Sequence, residues 1–302
     1  MVKWYRVGLN GGYEYREQIG GDAAGQTVAA HLALRYRHST AEVWNTRIAA
    51  GEVAIDGETA ATGAVLRAGQ VVVWRRPPWE EAAVPLAFAV LFRDEHLLAV
   101  AKPRGLPTLP AGGFLTHTLL HIVQRRHPGA TAMHRLGRGT SGIVLFARTD
   151  AARRAVAKAW RSGAVVKRYR ALVTGVPSRQ AFDVETPIGL VDHPRLGRVY
   201  AAVAAGKPSL THVRVLGARE GQALVEATIP TGRPHQIRIH LAAAGHPLVG
   251  DPLYAVGGVP GPRPALPGES GYHLHAHRLE LDHPITGARV EIECAPPRVL
   301  QP

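Results

Sequence analysis

The chain has 302 residues, 46% of them hydrophobic and 20% charged, which is ample for one or two globular domains with a sizeable core. Lys and Arg total 36 against 23 Asp and Glu, a net charge of +13, and such an excess favours a polyanionic partner. The single cysteine, Cys294, excludes an intramolecular disulfide and a cysteine-rich zinc site; no apolar run reaches the ~20 residues of a spanning helix. The first residues lack the apolar stretch of a signal peptide, so a cytoplasmic protein, monomeric by default and without membrane association, is expected.

Residues 1–18, rich in Gly and Tyr without a clear period, read as an N-terminal arm. From Gln26 the pattern turns helical, with Val28, Leu32 and Tyr36 four apart on one face. Trp44 and Ile48, with Glu42 early, predict a second short helix ending near Gly51. Residues 52–58 predict a strand entering the Asp56-Gly57 turn, and Val71–Trp74 predict another strand. Consecutive prolines at 77 and 78 open a linker over 77–87. Phe88–Phe92 and Leu97–Ala101 predict paired strands around a polar turn. Thr116 is a candidate cap for a helix carrying Leu119, Ile122 and Val123 and ended by Pro128-Gly129. Val156 and Trp160 suit a helix stopping at Ser162-Gly163, and Lys167–Val173 alternates as a strand. Residues 88–302 are therefore expected to form one α+β domain.

Residues 19–76, two short helices and a small hairpin unit, resemble the αL-type RNA-binding module of a ribosomal small-subunit protein. The resemblance implies an RNA-binding face at Arg35, Arg37, His38 and Arg47.

Four later segments occur in order. They are Lys102-Pro103-Arg104-Gly105, His134-Arg135-Leu136-Gly137-Arg138-Gly139-Thr140-Ser141-Gly142, Lys167 to Gly175, and Thr231-Gly232-Arg233-Pro234-His235-Gln236-Ile237-Arg238-Ile239-His240-Leu241. Gly245 to Tyr254 and Leu274 to Leu279 continue the pattern. Together they resemble the RluA family of RNA pseudouridine synthases, whose signatures read H-R-L-D-x-x-T-S-G, K-x-Y-x-A-x-V-x-G and T-G-R-x-H-Q-I-R-x-H-L. The resemblance implies a mixed, mainly antiparallel sheet with flanking helices. It also implies extrusion of a uridine from ribosomal or transfer RNA and reattachment of its uracil through carbon 5, with no cofactor and no metal. It assigns Tyr169 to stacking on the uracil and removal of the carbon-5 proton, and Arg238 to orienting the catalytic aspartate. Arg135 is assigned to the gap left by the flipped base or to its phosphate. Lys102, His134, Arg138, Thr140, Arg233 and His235 are the further RNA-binding candidates, Arg233 and His235 because they begin the helix of Arg238.

One signature position departs. Where the family has its catalytic aspartate, this chain has Gly137, and Arg135 to Gly142 contains no acidic residue. Arg238 then needs another anion, since an unpaired buried charge is costly. Asp251, Glu226 and Asp150 are the candidate carboxylates; an RNA phosphate, or a route using Tyr169 and water, are the alternatives. The Gly137-Arg138-Gly139 turn reads either as a phosphate-accommodating loop or as a backbone accommodation. An enzyme and a catalytically inactive RNA-binding folding or assembly factor both fit. His273, His275 and His277 could share one strand face, but no HExxH or cysteine pair accompanies them, and metal is set aside.

Overall fold

A computed structural model describes residues 8–263 and 265–302. The described residues up to Glu81 form one compact unit and those from Ala82 onward another.

In the first unit, β1 (Gly8–Leu9), β2 (Tyr13–Gln18), α1 (Val28–Arg35), α2 (Ala41–Ala49), β3 (Val53–Ile55), β4 (Glu58–Thr59), β5 (Val71–Arg76) and β6 (Glu80–Glu81) follow in order. Thr27 caps α1 by accepting from the Ala30 N–H, and Val28 and Leu32 of the expected face are buried beside Trp44, Ile48 and Trp74. Asp56 and Gly57 both take positive φ, which suits a two-residue turn between twisted strands.

Two expectations are corrected here. Tyr13–Gln18 of the supposed arm is a strand, paired antiparallel along β5, and Tyr15 stacks on Trp74 at 4.8 Å. Residues 1–7 of that arm lie outside the described residues. Part of the supposed linker is also a strand, since Glu80 and Glu81 pair with Leu9 and Gly8. In both cases the ladder is closed by a partner 53 to 73 residues away. A local window does not reveal such a partner.

The second unit contains β7 (Ala89–Arg93), β8 (Leu97–Lys102), α3 (Leu119–Arg126), β9 (Thr131–Ala132), β10 (Ser141–Ala147), α4 (Asp150–Arg161), β11 (Val166–Thr174) and β12 (Ala181–Val184). After these come β13 (Ile188–His193), β14 (Gly197–Ala202), β15 (Thr211–Arg219), β16 (Gln222–Thr228), α5 (Gln236–Ala243), β17 (Tyr254–Ala255), β18 (Val259–Pro260), β19 (Leu274–Asp282) and β20 (Arg289–Glu293). Its main sheet runs β12-β15-β16-β11-β19-β10-β8-β7, with β9 and β20 added at β10 and β19. β10 and β19 are parallel, while its other strand pairs are antiparallel. The fold is thus mixed α+β with a mainly antiparallel sheet. Strand alternation divides the core: Leu98, Val100, Val144, Phe146, Tyr169 and Ala171 face α3 and α5, whereas Leu97, Ala99, Ile143 and Leu145 face α4. Thr118, not Thr116, caps α3, accepting from the His121 N–H.

Candidate functional site

The segment from His134 to Thr140 lies largely outside regular structure between β9 and β10, and side chains from elsewhere fix it. The Thr108 hydroxyl donates to the Leu136 carbonyl at 2.8 Å and accepts from the Leu136 N–H at 3.1 Å. The Gly105 N–H donates to the Arg138 carbonyl at 2.8 Å. The Lys102 ammonium reaches the carbonyls of Pro103 at 3.0 Å, Leu106 at 2.7 Å and Arg138 at 3.5 Å. Gly142 then enters β10 with φ of 111°, and any Cβ there would lie 2.2 Å from the Ala276 carbonyl oxygen.

Opposite this segment, α5 is almost wholly buried. Its approach is shaped by Gln236, whose side-chain oxygen accepts from Thr231 and from the Arg233 N–H, and whose amide donates to the Leu210 carbonyl and Thr211 hydroxyl. His235, at the N-cap, has φ of 57°. A left-handed β-carbon residue is strained, and such strain gathers at functional sites. Its Nδ1 lies 2.8 Å from the Tyr254 hydroxyl, which donates to the Tyr200 carbonyl. With that phenol proton committed, Nδ1 must be the donor and Nε2 carries a lone pair. Burial, helped by the charge of Arg238, pulls the imidazole down to about 3, so it is neutral.

Arg238 is 2% exposed and has found its anion. Its Nε and Nη2 each donate to Asp251 at 2.7 Å, and Nη1 donates to the Pro267 carbonyl at 3.3 Å. Its guanidinium carbon lies 4.2 Å from the Tyr272 ring centroid and 4.9 Å from that of Tyr254. Tyr169 projects from β11 toward the same place, and burial pushes its phenol up to about 12.

These parts converge on a cavity of about 100 Å³. Among the predicted site residues it is lined by Arg135, Gly137, Thr140, Tyr169, Arg233, His235 and Arg238, together with Tyr272. Tyr272 was missed because it follows the Pro/Gly-rich loop over residues 261–271, outside every quoted signature. Its only sequence signal was its place just before Leu274.

Two candidates, Lys102 and His134, are corrected. Lys102 is 1% exposed and spends its donors on three carbonyls, with burial pulling it down to about 7, so it shapes the turn and is withdrawn from phosphate. The His134 ring stacks on Trp160 at 4.8 Å and its Nε2 accepts from the Leu145 N–H; burial and the nearby Lys167 lower it to about 3. It is a packing residue. Arg138 lies over the Phe114 ring at 5.5 Å. In the first unit, Arg35 is bonded to Glu17 and Arg47 is stacked on Trp44 and Trp74, whereas Arg37 is exposed.

None of the three candidate carboxylates lines the cavity, and its lining contains no Asp or Glu. Asp251 is occupied by Arg238 and by the Leu253 and Tyr254 N–H groups. Glu226 neighbours Val225 and Ala227, which face the Tyr169 side, so alternation turns it to the other face, where Arg214 and Arg170 pair with it. Asp150 is exposed at the start of α4 beside Arg153. Of the alternate histidines, His273 lies with its Nδ1 3.4 Å from Arg104 Nη1. His275 and His277 both donate to the Cys294 carbonyl, and no group of three or more His, Cys, Asp or Glu is placed to hold a metal among the described residues.

The family model for RNA pseudouridylate synthase matches residues 96–243, which contain β10, β11 and α5. An uncharacterized RNA pseudouridine synthase of Synechocystis is 40% identical over 272 residues, covering 89% of this chain and 94% of that one. The chain belongs to the RNA pseudouridine synthase family. A ribosomal large subunit pseudouridine synthase D of Zymomonas mobilis is 32% identical, covering 74% of this chain and 73% of its own. Among solved structures, the human RNA pseudouridylate synthase domain containing 1 superposes with a TM-score of 0.56 at 26% identity, over 71% of this chain and 86% of that one. Within this synthase family, the chain presents a site whose arginine is already neutralised and whose cavity lacks a carboxylate.

Proposed function

We propose that this chain is an RNA pseudouridine synthase that flips a uridine of ribosomal or transfer RNA into the Tyr169–Arg238 cavity and isomerises it. The supporting observation is the convergence of Tyr169, Arg238, His235 and Arg135 on one cavity beside Gly137. Tyr169 offers a neutral phenol and an aromatic face for the uracil, and the Nε2 lone pair of His235 suits the single N3–H donor of uracil. Arg135, exposed at the rim, is placed for the phosphate or the vacated stack. Residues 19–76 supply a second RNA contact through Arg37 and its basic neighbours, and residues 88–302 hold the reaction site. The family kinship and the Zymomonas relative's description favour ribosomal RNA among the substrates.

A second reading is favoured by a specific observation. With no carboxylate lining the cavity, the chain would bind and remodel RNA without turnover. Incubation of the purified protein with total RNA from cells lacking it, followed by chemical mapping of pseudouridine, separates the two. A new stoichiometric site is expected. Its absence at protein equimolar with RNA would establish the second reading.

A further inference from the structure

The backbone does not call for glycine at 137 or 139. Neither residue adopts the left-handed φ that favours it, in contrast to Gly142. What the two glycines provide is room for Tyr272. A Cβ on residue 139 would lie 2.9 Å from Tyr272 Cζ, and one on residue 137 would lie 3.1 Å from the Tyr272 hydroxyl oxygen. Tyr272 cannot readily yield. It is 1% exposed, its ring covers the Arg238 guanidinium at 4.2 Å, and its hydroxyl is hydrogen-bonded to Thr140 at 3.2 Å. The phenol oxygen therefore stands 3.1 Å from where a side chain on residue 137 would begin, in the cavity that Tyr169 and Arg238 also line.

We propose that the Tyr272 hydroxyl supplies the reactive oxygen that an aspartate at position 137 would otherwise supply. The inference rests on the synthase reading above. Tyrosine oxygens do act as nucleophiles at glycosidic carbons, and here the ring is held in place over the Arg238 guanidinium. The phenol passes its proton to water, and its oxygen attacks C1′ of the flipped uridine. The O–C1′ bond forms as the C1′–N1 bond breaks, and that electron pair leaves on the uracil. The uracil turns, C5 attacks C1′, and the phenolate departs and recovers a proton from water. C5 loses a proton and N1 gains one, so the product is an isomer of the substrate and nothing is oxidised or reduced.

The test uses the full chain and pseudouridine formation under single-turnover conditions with saturating protein. Tyr272→Phe keeps the ring over Arg238 and removes only the oxygen. Its rate is expected to fall at least ~100-fold while RNA affinity stays within about threefold. Gly137→Asp alone, crowded by the hydroxyl, should be slower than the natural chain. Gly137→Asp combined with Tyr272→Phe should exceed Tyr272→Phe alone by at least ~10-fold, because space and carboxylate then arrive together. Placing 3-fluorotyrosine at 272 retains the hydroxyl but makes it more acidic, and should move the ascending limb of the pH–rate profile to lower pH. A packing role would not shift that limb. An active natural chain whose Tyr272→Phe variant keeps its rate would overturn the Tyr272 assignment and leave the synthase reading intact. So would an unmoved limb in the fluorotyrosine protein should the phenylalanine variant fail to fold. A natural chain that makes no pseudouridine would overturn both.

Discussion

A guanidinium and a carboxylate that are both almost out of water stand or fall together. Arg238 and Asp251 are 2% and 1% exposed at their side chains, bonded through both carboxylate oxygens. Removing the charge of one strands the other, so Asp251→Asn is expected to destabilise the chain by about 3–5 kcal/mol in urea unfolding. A midpoint within error of the natural chain would show that the pair is not closed in solution. Burial likewise holds the His134 and His235 imidazoles neutral, at about 3 each, against ordinary values near 6.5. Between those limits the unfolded chain takes up protons that the folded chain does not. Stability is therefore expected to rise with pH from about 3 to about 6.5, and to fall as acid is added through that window. Thermal unfolding between pH 4 and 7 reads the slope, which His134→Gln should reduce; an unchanged slope would place the titration elsewhere.

Elements decide which residues can meet. On β11 the two-residue period sends Tyr169, Ala171 and Val173 toward α5, and the same period on β16 sends Glu226 the other way. Local signals found these elements well: Val28 and Leu32, Val156 and the run through Val173 lie in helices and a strand as their spacing predicts. Local signals failed where the partner is distant or the choice is between near neighbours. The β2 strand is recruited by β5 across the sequence, and Thr118 rather than Thr116 makes the cap of α3. Thr118→Ala is expected to cost about 1 kcal/mol, read by denaturant unfolding, since the His121 N–H loses its acceptor. A neutral result would mean that α3 is held by Leu119 and Val123 alone.

At the scale of the whole molecule, a net charge of +13 predicts RNA affinity that falls linearly in log K against log salt. Roughly a 10³-fold loss between about 50 and 200 mM salt is expected if about six phosphates are contacted. Titration of a structured ribosomal RNA fragment by filter binding checks this, and a flat response would remove the phosphate contacts from the account. Arg37→Glu should weaken binding and lower that slope, whereas Lys102→Gln should act through folding, because its ammonium is already consumed by backbone carbonyls.

The sequence alone was sufficient for the family and the mixed α+β class, because the signatures are residue types at fixed spacing within single segments, and the resemblance they carry implies a site shared by Tyr169 and Arg238. It could not say where the carboxylates point, since pairing register and sheet face settle that: Asp251 closes on Arg238, Glu226 turns away, and Asp150 stays in solvent. Nor could it explain two glycines in a signature. Tyr272 lies more than 130 residues from Gly137, and only the tertiary fold brings its phenol into the space that a side chain there would fill.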